Sequence, residues 1–218
     1  PSSVAGVPPD YFSADGQLWG NPLYDYQAMA RDNYQWWTDR FRRMMDLVDE
    51  VRVDHFRGFA AYWAVPAGSE TAKSGAWKDG PGLDLFRAVY QKIGRIRLVA
   101  EDLGVITDDV CTLKDALHLP GMKVIQFHLK DRADGRLAFD TEPDCIAYTG
   151  THDNNTIRGW YEDDLTPSQQ LHVRQMLGLS DEAAPQEIVG ALIAYTYCRR
   201  AETVIIPMQD LLALPPSC

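Results

Sequence analysis

The chain has 218 residues, enough for a sizeable apolar core, and carries 31 Asp+Glu against 21 Lys+Arg, a formal net charge of −10. A surface that acidic is a poor partner for phosphate backbones and anionic membranes, so nucleic acid and lipid surfaces are excluded as partners and a small neutral or cationic substrate is favoured. Four dispersed cysteines without a C-x-x-C pair argue against a zinc ribbon or disulfide framework and suit a reducing compartment, where buried apolar thiols are expected.

Taken in chain order, the amino terminus Pro1-Ser-Ser-Val-Ala-Gly-Val-Pro-Pro9 has no Met, basic region or apolar core; it reads as a chain that begins in mid-protein. Asp25 is placed to cap a helix whose apolar side runs through Met29, Trp37, Phe41, Met44 and Val48. A short strand at 51–53 then delivers Asp54. The stretch 56–80, rich in aromatics, Gly and Pro, reads as a long irregular loop, with Trp63 and Trp77 arguing for order. Pro81-Gly82 opens a helix that presents Leu83, Phe86, Val89 and Ile93 on one face and stops at Gly94.

A strand over 96–100 ends in Glu101, and Thr107 with Asp108 and Asp109 suits the start of a helix through Leu117. Strands are predicted at 122–127, 145–148 and 203–206, and helices from Thr166-Pro167 and over 185–200. Val- and Ile-rich strands alternating with amphipathic helices indicate α/β with a parallel sheet. Acidic residues at several strand ends favour a (β/α)8 barrel, whose reacting groups sit at the carboxyl ends of the strands. About five strands are visible, so the expected fold is a portion of such a barrel, a single partial catalytic domain over 1–218 with an active-site loop at 56–80.

Three segments carry the chemistry: Val51-Arg-Val-Asp-His-Phe-Arg-Gly58, Val99-Ala-Glu-Asp-Leu-Gly104 and Tyr148-Thr-Gly-Thr-His-Asp-Asn-Asn-Thr156. Each is an apolar run ending in an acidic residue. Glycoside cleavage with retention needs two carboxyl groups about 5–5.5 Å apart, one to attack the anomeric carbon and one to protonate the leaving oxygen. Arg52 lies two residues before Asp54 on the same strand face, where its charge favours an ionised nucleophile. Glu101 follows an apolar run and neighbours Asp102, which suits a general acid. His152 and Asp153 suit contacts to sugar hydroxyls and to positive charge in the transition state. Trp19, Tyr62, Trp63, Trp77 and Trp160 fall in or beside predicted loops as stacking faces for sugar rings, whereas Trp36 and Trp37 read as helix packing.

Each of these residues also has a plainer role: a strand-end Asp is commonly a turn or cap residue, and Glu101-Asp102 alone reads equally as a solvated pair. A metal cluster of Asp54, His55, His152 and Asp153 needs further ligands at short spacing, which His118, His128 and His172 do not supply, so no metal is expected.

Taken together, the motifs resemble the 4-α-glucanotransferases (amylomaltases, or disproportionating enzymes) of glycoside hydrolase family 77. The resemblance runs through Gly6-Val-Pro-Pro-Asp-Tyr-Phe-Ser13, Gly16-Gln-Leu-Trp-Gly-Asn-Pro22, Arg52-Val-Asp-His-Phe-Arg-Gly-Phe59, Ala100-Glu-Asp-Leu-Gly104, Pro120-Gly-Met-Lys-Val124 and Tyr148-Thr-Gly-Thr-His-Asp-Asn154. It implies Asp54 as nucleophile, Glu101 as general acid/base and Asp153 as transition-state stabiliser. By the same resemblance Arg52, His55, His152, Gln17, Trp19 and Asn21 contact substrate. The implied partners are α-1,4-glucans and glucose, with no cofactor and no catalytic metal, in a bacterial cytoplasm or a plastid.

Family members are longer than this chain, and the resemblance implies that the first barrel strands and the carboxyl-terminal end are missing. It reads the stretch ending in Gln209-Asp-Leu-Leu-Ala-Leu214 as the last barrel strand. Two alternatives stand beside glucan transfer: a hydrolase with water as acceptor, and a glucan-binding fragment that lacks activity because the barrel is truncated.

Overall fold

The computed structural model describes residues 2–10, 13–131 and 136–216. Tyr11 and Phe12 of the Gly6–Ser13 motif, and Cys218, lie outside the described residues. Contacts divide the chain into two compact units, Pro1–Leu119 and Pro120–Cys218.

In the first unit the chain forms β1 (Ser3–Val7), β2 (Gln17–Pro22), α1 (Tyr26–Arg31), α2 (Gln35–Met45), β3 (Val51–Val53), β4 (Ala61–Pro66), β5 (Ala76–Asp79), α3 (Gly82–Ile93), β6 (Leu98–Ala100) and α4 (Asp108–Leu117). Strands β3 and β6 pair in parallel, with Val51 opposite Leu98 and Val53 opposite Ala100. A separate antiparallel sheet has the order β2-β1-β4-β5. The 56–80 stretch is therefore not an irregular loop. After a 3₁₀ turn at Phe56–Phe59 it supplies β4 and β5, joined by a second 3₁₀ turn at Ala72–Ser74. Trp63 stands opposite Trp77 across that pair, their rings 5.3 Å apart, and its indole N–H donates to the Ala72 carbonyl at 2.8 Å. Cross-strand aromatic pairing outweighs the local Gly and Pro content. Gly16, at φ +68°, lies where an added Cβ would come within 2.4 Å of the Val7 carbonyl, so the turn leading into β2 requires glycine.

The helix capped by Asp25 is interrupted. Asp25 does accept from the Ala28 amide at 2.9 Å, but α1 ends at Arg31. Asn33 and Tyr34 turn left-handed, and the Asp32 carboxylate accepts from the Gln35 amide at 3.2 Å to restart the chain as α2. The break lets Tyr34, Trp37 and Phe41 reach one core together with Phe56, Phe59, Leu85, Phe86 and Val89. Trp37 is 7% exposed and Trp36 46%, so only one of the two predicted packing indoles is interior. Helix α3 stops at Gly94 (φ +78°), as the sequence indicates.

The second unit contains β7 (Gly121–Val124), α5 (Ile125–His128), β8 (Leu129–Asp131), β9 (Leu137–Phe139), β10 (Cys145–Tyr148), α6 (Ile157–Gly159), α7 (Pro167–Leu177), α8 (Pro185–Tyr197), β11 (Thr203–Ile205) and α9 (Met208–Leu211). Strands β11, β10 and β7 form a parallel sheet in that order. The strand predicted to run to Phe127 ends at Val124, where the chain turns helical. In the stretch ending at 214 the strand is confined to β11, and after Pro207 the chain turns helical as α9. Helix α7 begins with a capping box between Thr166 and Gln169.

A second core gathers Ile125, Phe139, Ile157, Val173, Ile188 and Leu192, and it also takes in Trp160. That indole is 7% exposed and packs within this core rather than on a loop surface. Cys145 is buried, and burial raises its thiol pKa, while Cys111 and Cys198 are exposed, against the expectation of buried thiols. Among the described residues, no helix is long and apolar enough to cross a membrane.

Phe86 is fully buried and packs on Phe41, Phe56, Phe59 and Tyr90 at centroid separations of 5.1–6.5 Å. Phe86→Ala is expected to destabilise the chain by about 3–5 kcal/mol. Leu47→Ala, at an exposed site, should change stability by about 0.5 kcal/mol or less, with both read from urea midpoints.

Candidate active site

The parallel pairing of β3 and β6 sets Asp54 and Glu101 side by side at adjacent strand ends, where neighbouring strands run about 4.8 Å apart. The ladder continues past both strands, because the Glu101 amide donates to the Val53 carbonyl at 3.0 Å and the Phe56 amide to the Glu101 carbonyl at 3.1 Å. Between those bonds the chain reverses at His55, which adopts φ +45° and opens the 3₁₀ turn.

That left-handed residue aims its own amide at Glu101. His55 N–H donates to Glu101 Oε2 at 2.8 Å, and Leu103 N–H donates to Oε1 at 2.9 Å, so both carboxylate oxygens are held by backbone. Burial pushes the Glu101 pKa up; the two amides partly oppose this, and the Asp54 charge adds to the rise. Asp54 is different in kind. Its side chain is 74% exposed and meets Arg52 Nη2 at 2.8 Å, as the i, i+2 spacing on one strand face predicts.

His55 is held neutral. Burial first and the Arg57 charge second depress its ring to about pKa 4, with Asp54 acting in the opposite direction. The edge of Trp19 meets this ring at 4.8 Å, and Trp19 in turn donates to Gln17 Oε1 at 3.1 Å. Trp19, Asn21, Arg52, Asp54, His55 and Tyr62 share the lining of a cavity of about 380 Å³. Gln17 and Glu101 are not among the residues that line it. Glu101 meets the site from beside His55.

Sequence reading missed two supports of this site. Arg57 lies with its guanidinium 4.2 Å from the Trp77 ring centroid and donates to the Val105 carbonyl at 2.5 Å, bracing the turn after Glu101. Lys114 on α4 pairs with the mostly buried Asp102 at 2.7 Å, fixing the same turn from the other side. The Arg57 position was visible in the Asp54–Gly58 motif; nothing in the sequence linked Lys114 to Asp102, which lies outside its helix.

His152 and Asp153 belong to the second unit, on the loop after β10. They pair with each other at 3.2 Å, and both are largely exposed. Asn154 Oδ1 accepts from the Thr151 amide at 2.9 Å and the Thr151 hydroxyl at 2.8 Å, which shapes the turn that presents them. Gln126 Nε2 donates to the Thr149 and Asn155 carbonyls at 2.9 and 3.0 Å, one at each side of that loop. Among the described residues no group of three His, Cys, Asp or Glu side chains is placed to hold a metal.

A sequence model of the 4-alpha-glucanotransferases of glycoside hydrolase family 77 matches residues 2–217. The chain belongs to this family. It is 48% identical to the chloroplastic/amyloplastic 4-alpha-glucanotransferase DPE1 of Arabidopsis thaliana, over 100% of this chain and 37% of that protein. It is 42% identical to the 4-alpha-glucanotransferase of Streptococcus pneumoniae, over 97% of this chain and 41% of the relative. Among solved structures, the amylomaltase of Streptococcus agalactiae in complex with acarbose superposes with a TM-score of 0.87 at 35% identity, covering 99% of this chain and 43% of that one. The chain thus spans well under half the length of these family 77 relatives.

The depressed His55 pKa has a measurable consequence. A ring whose folded pKa lies below its usual 6.5 contributes stability that is fully present above pH 6.5 and is lost as pH falls through about 4. The His55 resonances are expected to titrate near pH 4. The loss of unfolding free energy across that window should shrink in His55→Gln; a ring titrating near 6.5 would contradict the burial argument.

Proposed function

We propose that the chain carries the reacting carboxylates of a 4-α-glucanotransferase that moves a segment of an α-1,4-glucan to the 4-hydroxyl of a glucose or glucan acceptor by retaining double displacement. The observation that carries this reading is the pairing at the ends of β3 and β6. It couples an exposed, Arg-paired Asp54 with a partly buried Glu101 whose pKa is raised. Two carboxyl groups on adjacent strand ends, one exposed beside an arginine and one partly buried, are what a nucleophile and an acid require.

In this reading Asp54 attacks the anomeric carbon while Glu101 gives its proton to the departing oxygen, leaving a glucosyl ester on Asp54. Glu101, now ionised, takes the proton of the incoming 4-hydroxyl as that oxygen displaces the ester. Net charge at the site is restored when the product forms. The two backbone amides on Glu101 keep its oxygens in place through both proton transfers. Arg52 pairs with Asp54 and orients its carboxylate, and Trp19, Asn21 and the neutral His55 line the cleft as sugar contacts beside Gln17. Asp153, paired with His152, serves as transition-state stabiliser. The fold expected for this chemistry is a portion of a (β/α)8 barrel, and the parallel strands of each unit support that reading. The expected setting is a bacterial cytoplasm or a plastid, and the chemistry calls on no cofactor.

Incubation with maltotriose and separation of products by length tests the reading. Glucose together with maltopentaose and longer chains is expected. Asp54→Asn should lower turnover by about a thousandfold or more and Glu101→Gln by about a hundredfold or more. Glucose and maltose alone would make water the acceptor and replace transfer with hydrolysis. Absence of turnover would overturn the proposal for this chain.

A further inference from the structure

From the hydrogen bonds in the second unit we infer that Asp210, in the short helix after β11, is the positioning residue that fixes the loop bearing His152 and Asp153. Asp210 is 2% exposed. Its Oδ2 accepts from the Thr149 hydroxyl at 2.5 Å and its Oδ1 from the Ile157 amide at 2.8 Å. Thr149 immediately follows β10, and Ile157 is the first residue of α6. One carboxylate therefore closes both ends of the intervening loop.

The donors themselves lie in the interior: Thr149 and Ile157 are both fully buried. Burying a carboxylate costs several kcal/mol or more unless it is hydrogen-bonded, and bonds to an ionised acceptor are roughly twice as strong as neutral ones. Asp210 meets that cost with two neutral donors, one from each end of the loop. The segment after it adds two further ties: the Thr156 hydroxyl donates to the Leu214 carbonyl at 3.1 Å and Arg158 Nη1 to the Ala213 carbonyl at 3.4 Å. His152 and Asp153 themselves are exposed; the Thr151–Asn154 bonds shape the turn that presents them, while Asp210 and Gln126 tie its two ends.

The consequence for turnover rests on the glucan-transfer reading above, but the hold on the loop does not. Hydrogen–deuterium exchange of the whole chain, resolved by peptide, separates the two. Asp210→Asn and Thr149→Val are each expected to speed exchange across 149–157 by about tenfold or more while peptides from α8 keep their wild-type rate. Thr149→Ser, which retains the hydroxyl, should leave exchange unchanged.

With maltotriose, the two loosening variants should lower kcat by about tenfold or more with KM within about twofold, and Thr149→Ser should rescue it. Unchanged exchange in both variants overturns the inference, as does a loosened loop with unaltered kcat. If the wild-type chain transfers no glucan, the functional reading fails and the exchange result alone judges the role of Asp210. Should Asp210→Asn unfold the chain, Thr149→Val, which removes one donor and leaves the carboxylate in place, decides.

Discussion

Two backbone amides converge on the Glu101 carboxylate, and the geometry of the first unit is arranged around that convergence. The amide of Leu103 comes from the turn after β6, which any glutamate at a strand end can recruit locally. The amide of His55 comes from a different strand and reaches Glu101 only because β3 and β6 are in register and His55 turns left-handed. That conformation is uncommon for a residue with a Cβ, and the surroundings have to maintain it. Phe56 and Phe59, buried immediately after it, anchor the following 3₁₀ turn in the same core as α2 and α3. Packing far from the carboxylates thus determines where an amide points beside them.

The same arrangement explains why two acidic residues at equivalent strand ends differ so much. Alternation along β3 turns Asp54 toward Arg52 and solvent. Glu101 is drawn inward by donors that suit its charged form, while burial works against that charge. The outcome is an exposed carboxyl group paired with Arg52 beside a partly buried one whose pKa is raised. His55 joins them without contributing charge, because burial and Arg57 keep its ring neutral.

Much of this was legible in the sequence where local chemistry and burial agree. The strands ending in Asp54 and Glu101, the stop at Gly94 and the capped start at Thr166 each follow from residue type and spacing. The 56–80 stretch was misread because its order comes from pairing of Trp63 with Trp77 and of β4 with β1, contacts that local composition does not encode. The helix break at Asp32–Tyr34 escaped notice for a related reason: the apolar periodicity continues across it, but the side-chain cap at Asp32 resets the backbone. In the stretch ending at 214 the strand stops at Ile205, because Pro207 suits the start of the helix that follows. Trp160 looked like a binding face by its position near a motif, yet its indole fills a core.

The exposure of Asp54 bears on how a covalent intermediate would be spent. An ester formed on a side chain that stands in solvent is not shielded by its own protein surroundings, so water and sugar compete for it on access. A glucan lying along the aromatic cleft, over Trp19 and Tyr62, would displace solvent from the same space that its next hydroxyl must enter. In the glucan-transfer reading proposed above, partition between transfer and hydrolysis would then be a matter of occupancy, rising with acceptor concentration and chain length instead of being fixed by the carboxylates alone.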